Sequence, residues 1–232
     1  MVLAQRYPDA YDGIAAGAPA IHFTELSSSI QWAQQVMNDL GQYPHSCELD
    51  ALTAAAVIAC DAQDGAEDGI VSRPKDCLAR FDPFQLVGKA VNCTETSDTV
   101  KISEVAAAVA NATWHGPRTT DGKQLWYGFS PGTTLTGNGP KAVGQPGVAI
   151  TNCTSGTCTG EPNILGTLWL ELFVQRDPDF DVGSLTHEGY DQLFHAGQEV
   201  YRSVLNTDDP DLRPFKKAGG KLITFHGIVS SY

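Results

Sequence analysis

The stretch "AGGKLITFHG" (218–227) is a glycine loop feeding a continuous apolar run. Strict apolar–polar alternation would mark a strand with one wet face. An unbroken run marks a parallel strand covered on both faces. Near the other end, "GIAAGAPA" (13–20) is small and apolar and passes into a Gly/Pro loop, as a second buried strand would. Two buried strands about 200 residues apart predict one sheet interrupted by a large insertion.

The intervening sequence carries helical spacing in several places. "ELSSSIQWAQQVMNDLG" (25–41), "CELDALTAAAVIACD" (47–61), "ISEVAAAVANATWHG" (102–116), "LGTLWLELFVQRD" (165–177) and "THEGYDQLFHAGQEVYRSVLN" (186–206) are each expected to be helical, with Ser103 as an N-cap. "MVLAQRY" fits the last turns of a helix that Pro8 stops. From 117 to 162 turn residues dominate, so hairpins and loops are expected.

Composition bounds the function. The 232 residues, 42% hydrophobic and 18% charged, describe a globular chain. A net charge of −12 argues against nucleic acid or an anionic membrane as partner, because phosphate contacts need clustered Lys and Arg. No apolar run approaches the ~20 residues of a membrane span. Six cysteines and three N-x-[ST] sequons, at Asn92, Asn111 and Asn152, point to a secreted glycoprotein. "MVLAQRYPDAYDG" has no apolar core of a signal peptide, so the expectation is an internal piece of a secreted protein.

"CDAQDGAEDGIV" (60–71) crowds Asp61, Asp64, Glu67 and Asp68 together without a basic residue. Like charges that close repel. A solvated acidic turn is one reading, since Asp and Gly are turn formers. An EF-hand is excluded: twelve residues from Asp61 end on Ser72 and from Asp64 on Lys75, so the bidentate Glu is missing. The other reading is a calcium loop of hard oxygens: the side chains of Asp61, Asp64 and Asp68 with the carbonyls of Ala66 and Ile70. Gly65 and Gly69 permit the tight wrap, and Cys60 and Cys77 bracket it. That bracket favours calcium.

"AQRYPDAYDGIAAGAPA", "CDAQDGAEDGIVSRPKDC", "FDPFQLVG", "TWHGPRTTDGKQLWYG" and "KLITFHG" together resemble the tannase and feruloyl esterase family of secreted serine esterases, from Gln5 to Gly227. The resemblance implies an α/β class: a partial α/β-hydrolase core carrying a large inserted mixed α+β lid domain. The expected division is core at 1–24, lid with calcium loop at 25–215, and a returning core strand at 216–232. It also implies a structural Ca²⁺ on the five ligands just named, and small phenolic esters, feruloyl or galloyl, as substrates.

Two departures qualify that activity. The family's nucleophilic serine lies in a C-S-x-G-G turn shortly before the segment matching "MVLAQRYP", and no such turn is present. Its H-G-x-x-D motif supplies the triad aspartate, and "HGIVSSY" has Ser230 there. The expectation is therefore a fragment without nucleophile, acid or base, inactive as it stands. The alternative is a non-catalytic, calcium-stabilised binding module. No G-x-S-x-G occurs, and Ser155 in "CTSGTC" suits a small disulfide loop better than catalysis. His187 and His195 are expected to be surface or core-edge residues, and His226 to bond the loop that follows it. Cys60–Cys77 and Cys153–Cys158 are the natural pairs, which leaves Cys47 with Cys93 by elimination, one of 15 connectivities.

Overall fold

The computed structural model describes residues 1–137, 147–154 and 156–227. A short helix α1 (Val2–Arg6) leads to β1 (Gly13–Gly17). Next come α2 (Phe23–Ser29), α3 (Trp32–Leu40), α4 (Ser46–Cys60) and α5 (Pro74–Leu78). A hairpin of β2 (Ala90–Cys93) and β3 (Asp98–Lys101) precedes α6 (Glu104–His115). A second hairpin, β4 (Ile150–Thr154) and β5 (Thr157–Glu161), precedes α7 (Ile164–Leu168). The chain closes with α8 (His187–Leu205), α9 (Arg213–Lys217) and β6 (Lys221–Phe225).

The two end strands meet as expected. β1 pairs with β6 in parallel, Gly13 opposite Lys221 and Gly17 opposite Phe225. The register is extended at both ends, by Lys221 N–H to Asp12 O and Ala18 N–H to Phe225 O. One expectation is corrected. β6 is not covered on both faces here: Ile223 and Phe225 are 68% and 70% exposed.

The segment between β1 and β6 packs around three helices. Met37 of α3, Leu49 and Leu52 of α4, and Val109 and Trp114 of α6 share one buried cluster. At the far side of α3, Trp32 meets Tyr190 and Phe194 of α8. A buried polar centre ties α2 to these elements: Trp169 Nε1 donates to Ser28 Oγ (2.9 Å) and Tyr190 OH to Ser28 O (3.1 Å). Asn206, just past α8, donates to Glu25 (2.7 Å) and accepts from Thr24 N–H (3.0 Å). These buried polar groups are tolerated because each finds such a partner.

Local rules account for several boundaries. Ser103 caps α6 by accepting from Ala106 N–H (3.1 Å). The 25–41 segment breaks into α2 and α3 around Ile30–Gln31, and 165–177 leaves α-helix after α7 for a wider turn, Trp169–Gln175. Arg176, at φ +57°, stops that turn. The β2–β3 hairpin had no clear periodicity in the sequence. Three disulfides form, Cys47–Cys93, Cys60–Cys77 and Cys153–Cys158, the pairs the sequence suggested.

Candidate functional site

A concavity of about 800 Å³ opens at the C-terminal ends of β1 and β6. Ligands of open parallel sheets gather at that edge, because loops leaving neighbouring strands diverge there. The strands contribute Pro19–His22 on one side and His226 with Gly227 on the other. The opposite wall is the end of α6 and the loop after it, from Trp114 to Ser130, with Pro74 and Lys75 of α5 at the rim.

The wall exists because the chain doubles back on itself there. Gly116 has φ +84°, and a Cβ on Gly116 or on Gly128 would overlap the opposing backbone. With glycine at both points the strands touch, and Phe129 N–H donates to Thr113 O (3.1 Å) while Leu125 N–H donates to Pro117 O (2.8 Å). Gln124 Nε2 straps the turn to His115 O (3.1 Å) and Trp126 O (3.0 Å). The doubled-back segment thereby presents Trp126, Tyr127 and Phe129. Trp126 packs on His22 with ring centroids 4.8 Å apart and on Tyr127 at 5.1 Å.

The cavity is apolar and aromatic with a basic rim. Lys75 and Arg118 carry fixed positive charge, His22, His115 and His226 add imidazoles, and among the described residues no carboxylate lines it, in a chain of net charge −12. Two wall groups are buried without a hydrogen-bond partner among the described residues, Trp114 Nε1 and Ser130 Oγ. Such orphans are costly, about 1–3 kcal/mol each, unless a ligand or water meets them. The arrangement suits a flat aromatic molecule bearing oxygen acceptors.

The acidic loop lies behind this wall. A 3₁₀ turn, Asp61–Asp64, continues α4, and the loop returns through Arg73 to α5 under the Cys60–Cys77 bridge. Asp61 Oδ1 accepts from the N–H groups of Asp68 (3.2 Å), Gly69 (2.9 Å) and Ile70 (3.2 Å). Asp68 Oδ1 accepts from Ile70 N–H (3.0 Å). Asp64 accepts from Ala66 N–H (2.9 Å), and that bond, then the Ser72 hydroxyl, holds its carboxyl below the usual range. Gly65 and Gly69 take φ +95° and +76°, as the sequence reading required. The three aspartates are thus close along the chain. The donors are all hard oxygens of the kind Ca²⁺ prefers.

The remaining sequence candidates fall where ordinary roles explain them. His187 Nε2 donates to Arg118 O (2.8 Å) and Nδ1 sits 3.5 Å from Asp39; His195 pairs with Asp191 at 3.2 Å. His226 contacts Gly227 O (3.1 Å), the loop that follows it, and also lines the cavity. Among the described residues no serine hydroxyl hydrogen-bonds a histidine ring. Ser155 and Ser230 lie outside the described residues. The aromatic cavity itself was not read from sequence; "WHGPRTTDGKQLWYGFS" (114–130) held the signal, two aromatic clusters joined by glycine turns.

The family model described as tannase and feruloyl esterase matches residues 1–230. A probable feruloyl esterase of Arthroderma benhamiae is 35% identical over 231 residues, 99% of this chain and 40% of that protein. A tannase of Aspergillus oryzae is 27% identical, over 96% of this chain and 42% of the other. Among solved structures, tannin acyl hydrolase from Aspergillus niger superposes with TM-score 0.84 at 28% identity, over 98% of this chain and 40% of that one. The chain spans about 40% of the length of the curated relatives it matches. It is a member of the tannase and feruloyl esterase family.

Proposed function

We propose that these 232 residues are the lid and part of the core of a secreted carboxylic ester hydrolase acting on feruloyl or galloyl esters. The carrying observation is the aromatic cavity at the C-terminal ends of β1 and β6, basic at its rim and, among the described residues, free of carboxylates. An aromatic acyl group would stack against Trp126, and its phenolic oxygens would meet Trp114 Nε1 and Ser130 Oγ. The basic rim favours the partial negative charge of an ester's oxygens over a cation. On the family pattern, core is 1–24 and 216–232 and the lid is 25–215. The serine, aspartate and histidine of acyl transfer would come from the rest of the parent polypeptide, so this chain alone hydrolyses no ester.

Ca²⁺ fits the acidic loop as a structural ion. The side chains of Asp61, Asp64 and Asp68 and the carbonyls of Ala66 and Ile70 would hold it. Supporting this are the hard-oxygen donor set, the two positive-φ glycines and the disulfide at the loop's base. Bound there, the ion neutralises the clustered carboxylates and stiffens the approach to α5, whose Pro74 and Lys75 edge the cavity.

The test uses parent-length protein and this chain side by side. Parent-length enzyme should hydrolyse methyl ferulate or methyl gallate, and Trp126→Ala should raise KM with little change in kcat. This chain should bind ferulate or gallate, read by tryptophan fluorescence, without turnover. Binding by both with hydrolysis by neither would favour the non-catalytic binding module. Ester turnover by this chain alone would reveal a nucleophile within it.

A further inference from the structure

A second cluster of reactive side chains lies at the other end of α4, outside the cavity. Cys153 and Cys158 are directly opposed in the β4–β5 hairpin and joined as a disulfide. Cys158 Sγ is 3.7 Å from His45 Nδ1, and the same nitrogen is 2.9 Å from Glu95 Oε2. The ligand atoms of His45, Cys153 and Cys158 all lie within 4.8 Å of one another. A disulfide needs neither an imidazole nor a carboxylate beside it. Two sulfurs spaced C-x₄-C, one imidazole and one carboxylate are a tetrahedral zinc set.

We propose that reduction of Cys153–Cys158 opens a binding site for a thiophilic divalent cation, Zn²⁺ above all, on Cys153, Cys158, His45 and Glu95. The distances suit it. In a zinc tetrahedron the S···N edge is ~3.6 Å from the bond lengths, close to the separation already present. The two sulfurs must part, and Glu95 Oε2 must move from 2.9 Å to the ~3.4 Å N···O edge that the same bond lengths set.

The ligands are held by bonds that do not involve Cys153–Cys158. Thr151 Oγ1 of β4 donates to Pro44 O (2.9 Å), next to His45. His45 N–H donates to Glu48 Oε1 (2.9 Å), which fixes it at the start of α4. Cys47–Cys93 ties the β2–β3 turn that carries Glu95 to the same helix end. Breaking the hairpin bridge therefore leaves His45 beside both sulfurs and beside Glu95, the preorganisation a metal site needs. The side chains of His45 and Glu95 are 19% and 26% exposed, so an ion can reach them.

The chemistry balances with a tertiary phosphine as reductant. It attacks one sulfur, the S–S bond breaks, and the second sulfur leaves as thiolate. Water then releases the first sulfur, supplying oxygen to the phosphine oxide and protons to the sulfurs. Zn²⁺ binding displaces the two thiol protons to solvent.

The 232-residue chain, treated with mild phosphine, is titrated with Co²⁺ as spectroscopic probe and then Zn²⁺. Both cysteines of Cys60–Cys77 and one of Cys47–Cys93 are at most 3% exposed, whereas both hairpin cysteines are half-buried, so the hairpin bridge should open first, as mass mapping of alkylated thiols checks. Expected are one metal per chain, a thiolate-to-cobalt charge-transfer band that Zn²⁺ displaces, and protection of Cys153 and Cys158 from alkylation. Untreated chain and the Cys153→Ser/Cys158→Ser variant should show none of these. Glu95→Gln should weaken binding on the order of 10–100-fold, and His45→Ala by at least as much. Absence of the band in reduced chain, its persistence in the double-serine variant, or unchanged affinity in His45→Ala would each overturn the proposal. Circular dichroism of the double-serine variant separates loss of ligands from loss of fold.

Discussion

Replacing Asp61 with alanine separates two roles of the acidic loop. Without any ion, its carboxylate accepts from the N–H groups of Asp68, Gly69 and Ile70. Ile70 N–H keeps a second acceptor in Asp68 Oδ1 (3.0 Å), so the loss falls mainly on the other two. At about 1 kcal/mol per net hydrogen bond, discounted because the loop is only partly buried, Asp61→Ala should cost about 1–2 kcal/mol. For a chain of 232 residues, 1 kcal/mol shifts Tm by about 2 °C, so the variant should melt about 2–4 °C lower in chelator. Calcium adds a separate term. At 100 times its Kd a ligand stabilises by about 2.7 kcal/mol, or about 5–6 °C here, and Asp61→Ala should abolish that gain. The assay is a four-arm thermal melt: wild type and variant, each in excess chelator and in saturating Ca²⁺. The gap between them should widen from about 2–4 °C to about 7–10 °C on adding calcium. Equal melting in chelator would refute the capping argument. A wild-type Tm indifferent to Ca²⁺, with no calcium by elemental analysis, would refute the ion.

Three further outcomes are expected. Cys60→Ser with Cys77→Ser releases an 18-residue loop and should cost about 3 kcal/mol, about 6 °C in Tm, while non-reducing peptide maps of the wild type link the two cysteines. Gly128→Ala drives a methyl into the backbone of Trp114 and Gly116, and should lower stability by about 1–3 kcal/mol and weaken aromatic-acid binding; a variant as stable as wild type would refute the doubled-back wall. The Asp121 carboxyl, held down to about 2 by the Lys123 ammonium and then the Thr119 hydroxyl, should titrate near that value by NMR. Its contribution is present above the ordinary carboxylate range and lost as pH falls through about 2, and Lys123→Ala should return the titration towards the usual value.

What could be read from sequence was what short-range physics dictates. The apolar runs at 13–17 and 221–225 have a strand's pattern whatever surrounds them, and their pairing across about 200 residues followed from their likeness. α4 and α6 were legible because their alanine-rich faces and the Ser103 cap act within one turn. The split between α2 and α3 was not, because Ile30 and Gln31 keep near-helical backbone and only tertiary packing turns the axis. Nor was the exposure of β6: a run of apolar residues states what the strand can bury, while Ile223 and Phe225 show what it does bury in this chain.

The two sites differ in legibility for the same reason. All five candidate calcium ligands sit within ten residues, so charge crowding and glycine placement were visible in one window. The cavity draws on residues near 20, 75, 115–130 and 226, and although 114–130 is aromatic and glycine-rich, no one of those segments shows that they meet. Trp126 signals nothing until it is seen packed on His22, and Trp114 nothing until its Nε1 is found buried without a partner. The link between the sites is α5: its first residues edge the cavity, and Cys77 in its last turn is bonded to Cys60 at the loop's start. Any stiffening of the acidic loop therefore reaches the cavity rim through one short helix. Ligand affinity in the cavity should consequently fall when the loop is loosened, even though no loop carboxylate lines it.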